Sequence, residues 1–259
     1  MIEKIGVCLL SIVPLRLDPC HSSAMVSQLL FGETYKIIEE INNWYKIQTS
    51  YDQVNAWVEK IQTTLISAEN YQDLSKIEEK FSAEIVAYVS NPKHILTIIP
   101  PGASVSVLDI DAINFEKMIF DGLPFKASKQ KNNLINTALQ YLNAPYLKGG
   151  KTPFGIDASG LVQMVYKING FYLPRTVESQ SKLGDSLSFI EESEPGDLAF
   201  FDDEDGNINH VGIMLTDNYI LHAYGKVRID RLDHLGIFNE FLNKHTHQLR
   251  IIKQVVRAK

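Results

Sequence analysis

The sequence predicts a multidomain protein, with two small all-β barrels followed by an α+β domain. Three observations carry that reading. Residues 1 to about 125 hold short apolar runs separated by Asn, Asp and Gly, which mark strands and turns. From Asn132 the apolar residues fall instead at helical spacing, so the period of the pattern changes. Strand-like runs then return at 197–201, 210–215, 219–223 and 226–231, and helices followed by consecutive strands suit an α+β arrangement.

The first domain is expected over residues 1–63. Its opening segment is apolar but short, broken by Glu3 and Lys4, and followed by Pro14. With no small-residue cleavage site it reads as a first strand rather than a leader, and cytoplasmic residence is the expected default. Further strands are expected around Tyr35, at 44–48 and at 56–58. Residues 64–81 are polar and read as a connecting segment with helical character. A second β domain is expected over 82–125, where 95–99 reads as a strand and Pro100-Pro101-Gly102 as its turn.

The last domain is expected over 126–259. Leu134, Ala138, Leu139 and Leu142 form one helical stripe, ended by Asn143-Ala144-Pro145. A second helix is expected from Ser159 to Ile168, with Asn169-Gly170 as its stop.

Composition narrows the function classes. Hydrophobic residues make up 45% and charged residues 22% of the 259 positions, ordinary values for a globular chain. A net charge of -6 and a pI near 5.7 argue against a nucleic-acid partner. No run reaches the roughly 20 apolar residues of a membrane span. Cys8 and Cys20 read as two free thiols rather than a disulfide. A monomer without cofactor or metal is expected.

The stretch 154–166 is the most specific. Asp157, Ser159 and Gly160 surround Ala158 just before an apolar helix. This resembles the nucleophile motif of NlpC/P60 cysteine peptidases, Asp-Cys-Ser-Gly opening a helix, with a methyl group where the sulfur belongs. Supporting stretches are 144–150, Leu173-Pro174-Arg175, 194–198, His210-Val211-Gly212 and His222-Ala223. Gly32-Glu33 before a strand, followed by Trp44-Tyr45-Lys46-Ile47, resembles a bacterial SH3 (SH3b) domain, and the second β block reads as a divergent copy. The resemblance implies two SH3b-like barrels and a papain-like catalytic domain. With two SH3b-like modules the arrangement resembles the γ-D-glutamyl-L-diamino acid endopeptidases that act on murein peptides.

A cysteine peptidase needs a thiolate, a base and a group that orients the base, and a helix N-terminus stabilises the thiolate. By motif, Ala158 holds the nucleophile position, His210 the general base and His222 the orienting residue. Asp157, Ser159, Tyr146, Lys148, Arg175, Thr176, Tyr224 and Asn55 are implied as substrate-binding positions. Several depart from the family pattern. Lys148 replaces an aromatic residue, Thr176 an acid, Tyr224 a small residue, and Asn55 an acid that can hold the substrate amine.

Alanine cannot attack a carbonyl, and loss of a triad member costs roughly 10⁴- to 10⁶-fold in rate. Drift in one lineage or a remade pocket gives this pattern, whereas a deliberate Cys-to-Ala knockout explains only Ala158. Three functions remain open: a nucleophile-less peptidase scaffold that still binds murein peptides, a pocket in which a desolvated Lys148 amine forms a Schiff base with a carbonyl compound, and a non-catalytic peptidoglycan-binding protein. A snorkelling Lys148 is favoured over a reactive one. His21, His94, His234, His245 and His247 read as ordinary residues, with His245-x-His247 in a solvated loop because no Cys or carboxylate cluster accompanies it.

Overall fold

A computed structural model describes residues 4–114 and 116–257, so Met1 to Glu3 of the expected first strand lie outside the described residues. The chain divides into two compact units, Met1–Ala127 and Ser128–Lys259.

In the first unit, strands β1 (Lys4–Val7), β2 (Ile12–Arg16), β3 (Met25–Leu30), β4 (Thr34–Ile41), β5 (Trp44–Thr49), β6 (Asn55–Glu59) and β7 (Thr64–Ile66) form one sheet in the order β3-β2-β6-β5-β4-β1-β7. The pairings are antiparallel. Residues of β2 alternate between buried and half-buried, as one inward face requires. Cys8, Val13, Leu15, Leu29, Tyr35, Ile47, Ala56 and Val58 form the core of this sheet. A two-residue turn, Asn42-Asn43, joins β4 to β5, with Asn42 at φ 48°. Asparagine tolerates that left-handed backbone better than most residues. Cys8 and Cys20 are not joined in a disulfide, and the first is buried and the second exposed.

Helix α1 (Ala68–Lys76) follows, its N-terminus capped by the Ser67 side chain, which accepts from the Asn70 N–H. Strands β8 (Lys80–Phe81), β9 (Ala87–Ser90), β10 (Leu96–Ile99), β11 (Ile119–Asp121) and β12 (Phe125–Lys126) make two small sheets, β10-β9-β11 and β12-β8. This block shares a core with the first sheet: Val7 and Phe31 pack with Ala87, Val89, Ile99, Ala103, Val105, Val107 and Ile113. The Gly32-Glu33 turn is the seam. Gly32 has φ +81°, and a Cβ there would lie 1.8 Å from the Ser104 carbonyl oxygen, so only glycine fits. The Ser104 N–H donates to the Phe31 carbonyl at 2.8 Å, and the buried Glu33 carboxylate accepts from the Leu30 N–H at 2.9 Å.

The second unit opens with α2 (Asn133–Leu139), then a short pair, β13 (Lys151–Thr152) and β14 (Gly155–Ile156), then α3 (Ala158–Ile168) and α4 (Val177–Gln180). Every residue of α3 except Ser159 is buried, which fits a helix with little polar surface. It ends at Asn169, with Gly170 following at φ 83°. Strands β15 (Asp185–Leu187), β16 (Leu198–Asp202), β17 (Ile208–Met214), β18 (Tyr219–Tyr224), β19 (Lys226–Asp233), β20 (Gly236–Asn239) and β21 (Lys244–Gln254) form one sheet. Its order is β15-β21-β16-β17-β18-β19-β20, and β20 also pairs with β21. Six strands therefore close on themselves as a barrel, with β15 outside on β21.

The sequence pattern stops at four of these strands. It misses β15 and β20, which are only three and four residues long, and β21, whose residues are mostly polar and partly exposed. Each of the six barrel strands contributes to an inner core of Ala199, Phe201, Met214, Ile220, Leu232, Ile237 and Ile252. Helix α3 packs against β17 and β18. Among the described residues no helix is long and apolar enough to cross a membrane.

Candidate functional site

Two clusters of polar side chains arise in the second unit. The first is built by the turn into α3. Asp157 caps the helix, its Oδ1 accepting from the Gly160 N–H at 2.7 Å and from Ser159 Oγ at 3.3 Å. Oδ2 accepts from the Gly149 N–H at 2.7 Å. Arg175, buried, completes the set by donating to Oδ1 at 2.9 Å and to Oδ2 at 2.7 Å. It also donates to Ser159 Oγ at 2.8 Å. A bidentate pair of this kind fixes both planes. Ala158 is the first residue of α3 and only 7% exposed.

The second cluster lines the barrel. Alternation along each strand puts His210 on the face of Met214, His222 on that of Ile220, and Asp230 on that of Leu232. Gly212, opposite His222 in the register, leaves room for it: a Cβ at Gly212 would stand 3.0 Å from the His222 Cβ and 2.7 Å from Ile220. His210 Nε2 lies 2.9 Å from His222 Nδ1, and His222 Nε2 lies 3.1 Å from Asp230 Oδ2. Arg228 donates to Asp230 Oδ1 at 2.8 Å. The carboxylate takes the His222 Nε2–H, which leaves His222 Nδ1 as an acceptor and His210 Nε2–H as its donor. His210 Nδ1 is then the nitrogen with the free lone pair.

The electrostatics follow from the apolar barrel. Burial pushes the His210 pKa well below its ordinary value, and the neighbouring His247 and His222 add to the effect. Burial also lowers His222, against the opposing pull of Asp230. Burial alone would raise the Asp230 carboxyl, but hydrogen bonds from His222 and Arg228 hold it below the usual range. The imidazoles are therefore neutral near pH 7.

His247 joins this cluster, which corrects its placement in a solvated loop. It lies on β21, paired with Ile237, and is half-buried. Its ring stacks on His210 at 4.0 Å between centroids and 24° between planes, and meets Tyr224 edge-on at 5.0 Å. Burial, then His222, lowers its pKa to about 4. Asp230 lies on the expected strand 226–231 but in no motif, and the His245-x-His247 spacing, which could suggest a metal, was set aside because no Cys or carboxylate cluster accompanies it in sequence. His245 is exposed and pairs with Asp233 at 2.9 Å. His21, His94 and His234 are also exposed.

A rim connects the two clusters. The Tyr146 N–H donates to the Gly225 carbonyl at 3.0 Å, next to Tyr224. Tyr146 is 46% exposed and Tyr224 42%. Burial raises the Tyr146 phenol, and the Asp157 charge adds to it. Thr176 is exposed and caps α4 through its side chain, which accepts from the Ser179 N–H. Lys148 is exposed, so the desolvated amine required by the Schiff-base reading is not present. Asn55 is exposed at the start of β6, opposite Gln48, in the first unit.

The NlpC/P60 family model matches residues 143–248, and the model of the bacterial dipeptidyl-peptidase Sh3 domain matches residues 15–62. The second unit thus carries an NlpC/P60 domain and the first a bacterial SH3 domain. Among proteins similar to this chain is the γ-D-glutamyl-L-lysine dipeptidyl-peptidase of Bacillus subtilis (strain 168), 28% identical over 228 residues, 80% of this chain and 75% of that protein. Dipeptidyl-peptidase 6 of Lysinibacillus sphaericus is 26% identical over 244 residues, 83% of this chain and 87% of that protein. The crystal structure of an NlpC/P60 family protein from Bacillus cereus ATCC 10987 shares the fold, with a TM-score of 0.73 at 17% identity over 98% of this chain and 100% of that one.

Proposed function

We propose that this chain binds short cell-wall peptides containing a γ-D-glutamyl–diamino acid linkage and does not cleave them by thiol chemistry. The observation that carries this reading is alanine at the first position of α3, in a domain whose imidazole relay is intact. The names of the similar dipeptidyl-peptidases supply the substrate class. In this reading Ala158 stands at the nucleophile position, His210 at the base position, and His222 orients His210 under Asp230.

Asp157 and Arg175 hold the helix start rather than the ligand, because their hydrogen-bonding capacity is already engaged within the fold. Ser159, Tyr146, Thr176 and Tyr224 supply ligand contacts. We read residues 82–125 as a divergent second SH3-like module and the last domain as papain-like. Support comes from the small sheet β10-β9-β11 and from α3 packed on the barrel.

The test compares this chain with its Ala158→Cys variant on L-Ala-γ-D-Glu-diaminopimelate, with binding followed by calorimetry. The proposal expects both proteins to bind the peptide and only the variant to cleave it. Absence of binding by both proteins overturns it, as does turnover by the parent chain.

A further inference from the structure

We propose that His210, His222 and His247 form a three-imidazole site for a divalent transition-metal ion of the zinc class. One ring nitrogen from each of the three lies within 4.8 Å of the others. Metal–nitrogen bonds of about 2.0–2.1 Å at tetrahedral angles put ligand nitrogens about 3.3 Å apart. The His210–His222 pair, at 2.9 Å, is within a few tenths of an ångström of that spacing. Because these two nitrogens are hydrogen-bonded to each other, both rings must tilt to turn their lone pairs onto one ion, and the third nitrogen, on the half-buried ring of β21, must come in from within 4.8 Å. Rotating His247 out of its stack on His210 supplies the displacement.

The groups behind the rings fix which nitrogens are available. Asp230 takes the His222 Nε2–H and is held by Arg228, leaving the His222 Nδ1 lone pair inside the cluster. Thr246 Oγ1 lies 2.9 Å from His247 Nδ1 and 3.4 Å from the Ile237 carbonyl. With the hydroxyl donating to that carbonyl, its oxygen accepts the His247 Nδ1–H and leaves Nε2 as the ligand atom. Two of the three rings, His222 and His247, thus have a hydrogen-bonding group behind them, the kind of support that orients a metal-binding imidazole.

When the ion enters, the proton between His210 and His222 leaves His210 Nε2, and His210 Nδ1 takes one up. The three rings bind as neutral imidazoles with no net loss of protons. Three imidazoles suit zinc, cobalt, nickel or copper and not magnesium or calcium, and three protein ligands leave a fourth position for water or ligand. The inference does not rest on the peptide-binding reading.

The experiment strips untagged full-length protein with chelator, reloads it with Zn²⁺ or Co²⁺, and measures metal per chain and the visible Co²⁺ spectrum. The expected result is one ion per chain with ligand-field bands of a tetrahedral site. His247→Phe and His247→Gln abolish both at unchanged near-UV circular dichroism, and Asp230→Asn weakens affinity about 10- to 100-fold. His245→Phe, beside the cluster but outside it, leaves binding unchanged. Failure of the parent chain to take up a stoichiometric ion overturns the proposal. So does undiminished binding in a folded His247 variant. Peptide binding is read separately by calorimetry, so its failure leaves this outcome unaffected.

Discussion

Five hydrogen bonds converge on the Asp157 carboxylate, from Gly149, Ser159, Gly160 and both Nη atoms of Arg175. The Arg175 side chain is 5% exposed and that of Asp157 13%, so the pair is shielded from water and each member depends on the other. Arg175→Ala leaves a carboxylate with its main counter-charge removed, and breaking a buried pair in this way costs about 3–5 kcal/mol. Denaturant titration of the two proteins checks this, and Arg175→Lys is expected to rescue only part of the loss because ammonium cannot chelate both oxygens. At this scale the sequence was informative where function had left a local motif. The Asp-Ala-Ser-Gly turn and the two histidines were legible because each sits in its own short pattern. Asp230 was not, and the His245-x-His247 spacing was discounted, since partners brought together across four strands are far apart along the chain.

The elements show the same division. Helix α3 was legible to within a residue, because its apolar run starts at an N-cap and stops at Asn169-Gly170. Strands β20 and β21 were missed because β21 reads Lys-His-Thr-His-Gln-Leu-Arg-Ile-Ile-Lys-Gln, with little burial except near Ile252. Its place is set by partners: β21 pairs with β15, β16 and β20. A chain ending at Asn243 therefore leaves three strands without their neighbour and opens the inner core to water. Such exposed edges template association between chains. The truncated protein is expected to aggregate and to bind a hydrophobic dye. A monomeric product with native near-UV circular dichroism would show that the barrel stands without its seam.

At the scale of the whole molecule, the two β-rich blocks of the first unit share one core. Phe31, fully buried in the turn that follows β3 of the first sheet, packs with Val89, Ile99 and Val105 of the second block. Phe31→Ala is expected to cost about 3–5 kcal/mol. Hydrogen exchange should then lose protection in both blocks of the first unit. Loss confined to residues 4–66 would separate the blocks into independent modules. The shared core was illegible in the sequence because an apolar residue after a strand does not say which neighbour it will meet.

The pairing of β20 with β21 also sets an order of events in the cell. A polypeptide emerges from the ribosome N-terminus first, and domains fold as they are completed. The first unit has every strand it needs long before the last fifth of the chain has been made. The barrel cannot close until β21 has left the exit tunnel, and His247 leaves with it. The histidine cluster is thus assembled only once β21 has emerged, and until then the nascent protein is a finished first unit followed by an open, unsealed sheet.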